Sequence, residues 1–499
     1  MRIDKSFLRD RFLTIDIRTL GLARIYIALL LLVDLARRSL EMSTWYFESG
    51  LLPNSMLAEH PLRPWSYSLL FYVSSDTGVR LAFALIALVY LALLFGVCTR
   101  VAQVLAAICL ISLQVRVDFL SNGGDFVFCN LLVWSAFLPL GSAFSFDAWR
   151  KKTRRPRQSP VVSWAVLVLT LQLAIIYFFN AVHKNGETWA DGSAVYWLAQ
   201  QERIVTWFGL WMRENLPLWV FRAMTYGSLV LEYLLPLLIL SPWGRPWTRR
   251  AAIACIWSLH LGIAAVANVG SFSLVMIAYS MFLVSPADWA YLRGKLLARR
   301  GQGAWVVAAL TLPEVDPATT PKQTPLHWLS NAFLAFLVVA AISQVLVENW
   351  AVPAFLKHEQ PKWVQATIQT FRLNQGWSMF APNAPRDDMW IVVDAVTSDG
   401  RHIDPYNELA TRYADPTLQT VPPRLDMSYW WCDYTVRIPG FRQYHSSLTN
   451  WIFRYHERTG NENDRIVSFR ASSVSQIPPA PGESEPRDVK VKAFLAKRQ

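Results

Sequence analysis

Residues 161–192 read VVSWAVLVLTLQLAIIYFFNAVHKNGETWADG, and this stretch decides the class of fold. Val161–Val182 carries no charged side chain, and its length matches the roughly 20 apolar residues that cross a bilayer as a helix. Lys184 follows where such a helix meets water. A lysine in this position is either an anchor that reaches toward the headgroups or a base that partial burial keeps as a neutral amine.

The composition of the whole chain is that of a helical membrane protein with several spans. Of its 499 residues, 53% are hydrophobic, 17% are charged and 23 are Trp, and the mean hydropathy is +0.24. An ordinary soluble chain is less apolar. The net charge of +12 does not indicate a nucleic-acid-binding protein, because most basic residues lie in short loops between apolar runs.

The spacing of the apolar runs predicts about nine spans, using roughly 20 residues per crossing. The predicted spans are Leu20–Leu35, Gly78–Val97, Val101–Val117, Phe126–Leu140, Val161–Val182, Leu218–Leu240, Ala251–Ala267, Gly270–Val284 and Trp328–Val347. A further apolar stretch, Trp305–Leu312, is too short to cross and is expected on the inner surface.

Three basic loops orient this bundle. They comprise residues 150–157, 245–250 and 293–300, and nine spans place them on the same side as the charged N-terminal segment. The positive-inside rule makes that side cytoplasmic, although Arg37 and Arg38 end the first span on the outer side. The first apolar run has no small-residue cleavage pattern after it, so we expect it to remain as an anchor.

The chain divides into three predicted parts: a transmembrane domain at 1–349, an external domain at 350–477 and a loose tail at 478–499. The fold class is therefore an all-α polytopic membrane bundle of about nine transmembrane helices, followed by a small α+β extracytoplasmic C-terminal domain.

Within the external domain, Trp390–Ile403 predicts a hairpin that turns at Asp399–Gly400. Ser428–Arg437 and Arg465–Ser473 alternate like strands, and Gln443–Tyr455 is consistent with a helix.

Several polar side chains lie inside the predicted spans, and each costs free energy unless it has a partner or faces a cavity. They either tie helices together through hydrogen bonds or form a pocket between helices. For His260 considered alone, a hydrogen bond between helices is the favoured interpretation. No metal site is expected, because no second histidine lies at ligand spacing. The set comprises Asp34, Asn130, Asn180, Glu232 and His260.

The external connection Ser121–Asp125, SNGGD, brings Asn122 and Asp125 to the mouth of the bundle. Its two glycines allow the backbone to approach another group closely. The same pattern is explained by a turn that caps a helix, so the two interpretations stay open. Topology places this connection on the same face as Lys184, where Trp189 and Asp191 are either an interfacial anchor and a helix cap or part of one entrance.

Six groups of segments, in order along the chain, resemble a single family. They are Ala28–Leu35 with Asp34 and then Tyr46–Pro53 (YFESGLLP), Leu93–Arg100 (LLFGVCTR), Asn122–Asp125 with Phe137–Asp147 (FLPLGSAFSFD), Tyr177–Gly192, His260 with Gly270–Ser273 (GSFS), and Gln375–Pro385 (QGWSMFAPNAP). The chain resembles the horizontally transferred transmembrane (HTTM) domain family, bacterial relatives of the vitamin K-dependent gamma-carboxylase.

This resemblance implies a function for the lysine at the end of the fifth span. In the carboxylases a neutral lysine deprotonates a reduced naphthoquinone, oxygen adds, and the strong base that results removes a proton from a glutamate side chain, which captures CO2. Lys184 falls on that lysine. The implied cofactor is reduced menaquinone, with O2 and CO2 as candidate co-substrates. The implied cofactor-binding residues are Asn122, Asp125, His183, Trp189 and His260.

The resemblance also implies a bacterial inner-membrane location, with the external domain outside the cytoplasm. The partners would be membrane lipid, a quinone and a secreted or membrane protein substrate. One departure is Gly123–Gly124, where the carboxylases carry an Asn-His pair. The alternative function is a non-catalytic membrane scaffold or maturation factor that holds a secreted partner. A transporter ranks last, because no internal repeat is visible.

Overall fold

A computed structural model describes residues 5–59, 64–151, 160–298, 325–410, 428–483 and 486–498. Its longer helices are α1 (Ile17–Leu40), α2 (Asp76–Phe95), α3 (Thr99–Arg116), α4 (Gly123–Ser135), α5 (Trp164–His183), α6 (Trp207–Asn215), α7 (Leu218–Leu240), α8 (Trp247–Val266), α9 (Phe272–Met281), α10 (Pro286–Ala298), α11 (Pro325–Glu348), α12 (Lys362–Phe371), α13 (Tyr429–Arg437) and α14 (His445–Phe453). The predicted surface segment Trp305–Leu312 lies outside the described residues.

Within these ranges, seven helices are long and apolar enough to span a membrane, and the bent pair α9–α10 makes up to eight. The seven are α1, α2, α3, α5, α7, α8 and α11. The prediction of an all-α membrane bundle is confirmed, and the chain is an integral membrane protein. The two predicted spans that differ are Phe126–Leu140, which overlaps the 13-residue helix α4, and Gly270–Val284, where α9 turns by 86° into α10.

Both short helices lie inside the bundle. Nearly every residue of α4 is buried, and α9 packs against α4 and α1. Their N-termini meet, because a Cβ on Gly124 would lie only 2.9 Å from the backbone nitrogen of Phe272. At the opposite end, the carbonyl of Val284 accepts a hydrogen bond from Thr19 at the start of α1. Short helices and extended backbone are tolerated at membrane depth when protein surrounds them.

The outer surface of the bundle has the pattern of a lipid-facing protein. Leu81, Leu85 and Leu88 form a stripe on α2 at helical spacing, and each is more than 60% exposed. Exposed tryptophans lie at the ends of the long helices, as is typical of residues at the two membrane–water interfaces. These include Trp164, Trp219, Trp247, Trp328 and Trp350.

The C-terminal part, which the sequence predicts to be external, contains a five-stranded antiparallel sheet in the order β5-β4-β3-β6-β7. Its strands are β3 (Asp388–Thr397), β4 (His402–Asp404), β5 (Leu409–Ala410), β6 (Ile466–Ile477) and β7 (Arg487–Arg498), while β1 (Thr14–Ile15) and β2 (Val161–Val162) pair separately. The predicted hairpin is confirmed as β3–β4, with Gly400 at a φ of +84° in the turn. The predicted strand Arg465–Ser473 and the predicted helix Gln443–Tyr455 are also confirmed, as β6 and α14.

Two predictions for the external part were wrong. Ser428–Arg437 forms helix α13, which buries Trp430, Cys432 and Tyr434 against its neighbours, so its short alternation was not a strand pattern. The tail predicted to be loose contains β7, because pairing with the distant β6 supplies backbone hydrogen bonds that composition does not reveal.

Candidate functional site

Lys184 ends α5 with its amine inside the protein. Only 9% of the residue is exposed, and Nζ donates to both carboxylate oxygens of Glu232 at 2.6 Å. The indole of Trp189 covers the amine, with Nζ 4.5 Å from the ring centroid. Glu232 projects from α7, and its side chain is 8% exposed. A buried charge needs a partner of opposite sign, and each of these two residues provides one for the other.

A second polar pair lies beside the first. Tyr177 is on α5, His260 is on α8, and the tyrosine hydroxyl shares a 2.8 Å hydrogen bond with His260 Nε2. The two pairs are close enough to interact electrostatically, Lys184 with the His260 ring and Glu232 with the Tyr177 hydroxyl. His260 Nδ1 is buried and has no hydrogen-bond partner among the described residues. We call Tyr177, Lys184, Trp189, Glu232 and His260 the lysine cluster.

The segment Gln375–Pro385, which we call the inserted segment, closes one end of the bundle. Gln375 is fully buried, and its amide nitrogen donates to Asn130 and Gln172 at 2.9 Å. Asn180 accepts from the backbone of Met379 at 2.9 Å. Asn130 and Asn180, two of the polar side chains predicted inside the spans, thus bind this segment.

The inserted segment also positions Trp189, the residue that covers the lysine amine. The carbonyl of Phe380 accepts a 2.8 Å hydrogen bond from Trp189 Nε1. The carbonyl of Pro382 accepts from the backbone of Gly186 at 3.0 Å, two residues after the lysine. The position of Trp189 over the amine therefore depends on the inserted segment.

A second charged group surrounds the turn Ser121–Asp125 at the start of α4. Arg38 is 1% exposed, donates to Asp34 at 2.8 Å and to the hydroxyl of Tyr46 at 2.8 Å, and lies 3.5 Å from Asp125. Asn122 and Asp125 form a reciprocal cap at the start of α4. We call Asp34, Arg38, Tyr46, Asn122 and Asp125 the arginine cluster.

A small cavity of about 20 Å³ adjoins the arginine cluster. It is lined by Asp34, Arg37, Arg38, Asn122, Asp125, Gly270, Ser271, Tyr429 and Trp430. This volume holds a water-sized molecule and is too small for a naphthoquinone ring. The cavity is also separate from the lysine cluster, because none of its lining residues belongs to that cluster.

Comparison with known proteins identifies the family of this chain. The family model of the HTTM domain matches residues 12–289, more than half of the chain. The chain belongs to the HTTM domain family. It is therefore a membrane protein related to the gamma-carboxylases, and the resemblance drawn from the sequence is confirmed.

One relative of this HTTM protein is "Uncharacterized protein YitO" of Bacillus subtilis (strain 168), 26% identical over 125 residues. The matched stretch covers 24% of the chain and 39% of the length of YitO. No solved structure gives a significant match.

The site residues predicted from the HTTM sequence fall in three places. Lys184, Trp189 and His260 come together in the lysine cluster, whereas Asn122 and Asp125 lie in the arginine cluster. Phe272 lies between the two groups, because its ring is 5.2 Å from that of His260 and its backbone contacts Gly124.

His183 lies apart from both clusters. Its Nδ1 is 2.8 Å from the carbonyl of Trp377, its Nε2 accepts from the backbone of Ala351 at 3.2 Å, and its ring stacks on Trp350 at 3.8 Å. Since both ring nitrogens are engaged by backbone groups, this histidine joins α5 to the segments that follow α11.

Two further residues of the HTTM site, Glu232 and Arg38, could have been recognised from the sequence. Glu232 is an acidic residue within an apolar span, and pairing it with Lys184 would have matched two otherwise uncompensated charges. Arg38, an exception to the positive-inside rule, stands four residues after Asp34, the spacing at which side chains meet on one helix face.

A pH-sensitive carboxyl lies outside the spans of this HTTM protein, on α13. Burial raises the pKa of Asp433 to about 7, against the opposing charge of Arg437. Because this folded-state pKa exceeds the ordinary value of 3.8, the folded protein holds the proton more tightly than the unfolded chain. The resulting stabilisation is complete below pH about 4 and is lost as the pH rises to about 7.

We therefore expect Asp433→Asn to become more stable relative to wild type as the pH rises from 4 to 8, by about 4 kcal/mol. Unfolding of both proteins by denaturant across this pH range measures the difference. Asp488→Asn, at an exposed position on β7, is the control and should leave the pH dependence of wild type unchanged. A stability difference for Asp433→Asn that stays constant with pH would contradict the assignment.

Proposed function

We propose that this chain is a membrane enzyme in which Lys184, with Glu232 as its proton acceptor, removes a proton from a reduced naphthoquinone. The observation that carries the proposal is the buried contact between Nζ and both oxygens of Glu232, beside a histidine with an unpaired ring nitrogen. Reduced menaquinone would supply the reducing power for an oxygenation, with O2 and CO2 as candidate co-substrates.

The carboxylate beside the lysine offers a route to a neutral amine. Transfer of one proton from Nζ to Glu232 would convert the buried ion pair into an amine and a carboxylic acid. At 2.6 Å the transfer needs no movement of either side chain. Lys184 can then accept a proton from a bound hydroxyl, which is the act of a general base.

One polar atom of the lysine cluster is available to bind an oxygen of a quinol. His260 Nδ1 has no partner among the described residues, and a buried polar atom is costly to leave unpaired. Tyr177 engages the other ring nitrogen and thereby orients the imidazole. His260 would hold the substrate oxygen, Lys184 would take its proton, and Trp189 would exclude water from the amine.

The location proposed for this chemistry is the outer side of a bacterial inner membrane, with the N-terminus in the cytoplasm. The basic stretches at residues 150–157, 245–250 and 293–300 support this orientation. The quinone would come from the lipid, and a secreted or membrane protein would be the second substrate.

The test is a reaction of the purified full chain in lipid nanodiscs. Reduced menaquinone is added without oxygen, oxygen is then admitted, and quinol consumption and epoxide formation are followed. We expect Lys184→Ala to lower the rate by about 100-fold or more, the contribution typical of a general base. Equal product from wild type and Lys184→Ala would overturn the proposal.

Two controls test whether the loss of rate is specific to Lys184 and whether it reflects a missing base. Lys357→Ala removes an exposed lysine elsewhere on the predicted outer side and should leave the rate unchanged. Added methylamine should restore part of the rate of Lys184→Ala if the missing group is a base, since a small amine can occupy the space of the side chain.

A second candidate function is a scaffold that holds a secreted partner through the external domain. It is favoured by the same ion pair, because Nζ already bonds both carboxylate oxygens and lies under an indole. In that case Lys184 ties α5 to α7 and takes no part in chemistry, and no quinol would be consumed by any variant.

A further inference from the structure

Strand β7 forms one edge of the external sheet. It runs for 12 residues, pairs with β6 along one side, and has no strand on its outer side within the described ranges. An edge of this length presents a row of unpaired backbone N–H and C=O groups, which is a template for a further strand.

Basic residues far outnumber acidic residues on β7. Its five basic residues are Arg487, Lys490, Lys492, Lys497 and Arg498, and its one acidic residue is Asp488. Arg487 pairs with Glu483, while the other four basic side chains have no carboxylate partner among the described residues. They are exposed and therefore free to meet a ligand of opposite charge.

The charge pattern selects one kind of occupant. A second copy of this chain would bring lysines opposite lysines, and like charges directly across a strand pair are destabilising. An acidic strand would place a carboxylate opposite each ammonium group while its backbone pairs with the free edge. Exposed Val491, with Phe494 and Leu495 partly exposed, provides apolar positions between the charges.

We infer that the outer edge of β7 binds an extended acidic peptide segment of another protein by adding it to the sheet as a sixth strand. The site is independent of the lysine cluster and of any quinol chemistry. It gives the external domain a means of holding a protein partner, whichever function the bundle has.

The test uses the full chain in nanodiscs of neutral lipid and a fluorescent peptide of about ten residues in which glutamate alternates with valine. We expect saturable binding, seen as fluorescence anisotropy, and slower amide hydrogen exchange along β7. A peptide in which lysine replaces glutamate should bind at least about tenfold more weakly. Equal binding of the acidic and basic peptides would overturn the inference.

A matched peptide separates strand addition from simple charge attraction. N-methylation of its valines keeps every charge and removes alternate backbone donors, so its affinity should fall by about tenfold or more. If the methylated and unmethylated peptides bind equally, attraction between charges is sufficient and the proposed strand does not form.

The double variant Lys490→Glu and Lys492→Glu provides a test on the protein itself. Both side chains are exposed, so the fold should persist, and the preference should reverse in favour of the basic peptide. Anionic vesicles are the competing partner. Loss of vesicle binding in this variant, with unchanged affinity for the acidic peptide, would assign the lysines to lipid and contradict the inference.

Discussion

Replacing Lys184 with alanine is expected to lower the free energy of unfolding by about 3 kcal/mol or more. The change removes the partner of Glu232, whose side chain is 8% exposed, and leaves a carboxylate in an apolar bundle. It also removes the cation under Trp189. Reversible unfolding of the protein in mixed detergent micelles measures the loss.

A double variant tests whether the loss comes from the unpaired charge. Lys184→Met combined with Glu232→Leu replaces the pair by apolar side chains of similar size, and such replacements are often neutral or stabilising. We expect it to recover most of the stability that Lys184→Ala loses. A double variant less stable than Lys184→Ala would show that specific bonds of the pair, rather than burial of a lone charge, dominate.

Alanine at Gly124 is expected to destabilise the bundle by about 2 kcal/mol, the cost typical of an overpacked core. Its Cβ would lie 2.9 Å from the nitrogen and 3.0 Å from the Cα of Phe272. These are backbone atoms of α9, so relief requires that two buried helices separate. The same unfolding assay, with the wild-type protein as reference, measures the effect.

Gly227→Ala is the matched control for this substitution. Gly227 also lies within a helix, α7, but a Cβ there meets no atom within 4 Å. Alanine favours the helix over glycine, so this variant should gain up to about 1 kcal/mol. Equal and small effects of the two substitutions would mean that α4 and α9 separate at little cost.

The long helices were predictable because apolar length is a local property of the sequence. Leu218–Leu240 was predicted with the bounds that α7 has, and the other long spans shifted by a few residues at each end. The short buried helices were harder to predict, since neither α4 nor α9 spans the hydrophobic thickness alone. In β7, only the pairing with β6 distinguishes a strand from a loose tail.

The site was predictable to the extent that single residues stood out. Lys184 stands out because it follows an apolar run, and His260 stands out because it interrupts one. The sequence could not place Asn122 and Asp125 in a different cluster from Lys184, because that depends on the packing of Phe272 between them. Nor could it show that residues 375–385 close the mouth of the bundle, a contact between distant parts of the chain.

The inserted segment has a consequence for how the protein is made. A ribosome delivers α1 to α9 to the membrane long before residues 375–385 emerge. Until then the amides of Asn130, Gln172 and Asn180 lack the hydrogen bonds that they make to this segment in the finished protein. Because the inserted segment follows these residues in the chain, it can complete the bundle only after they have been synthesised.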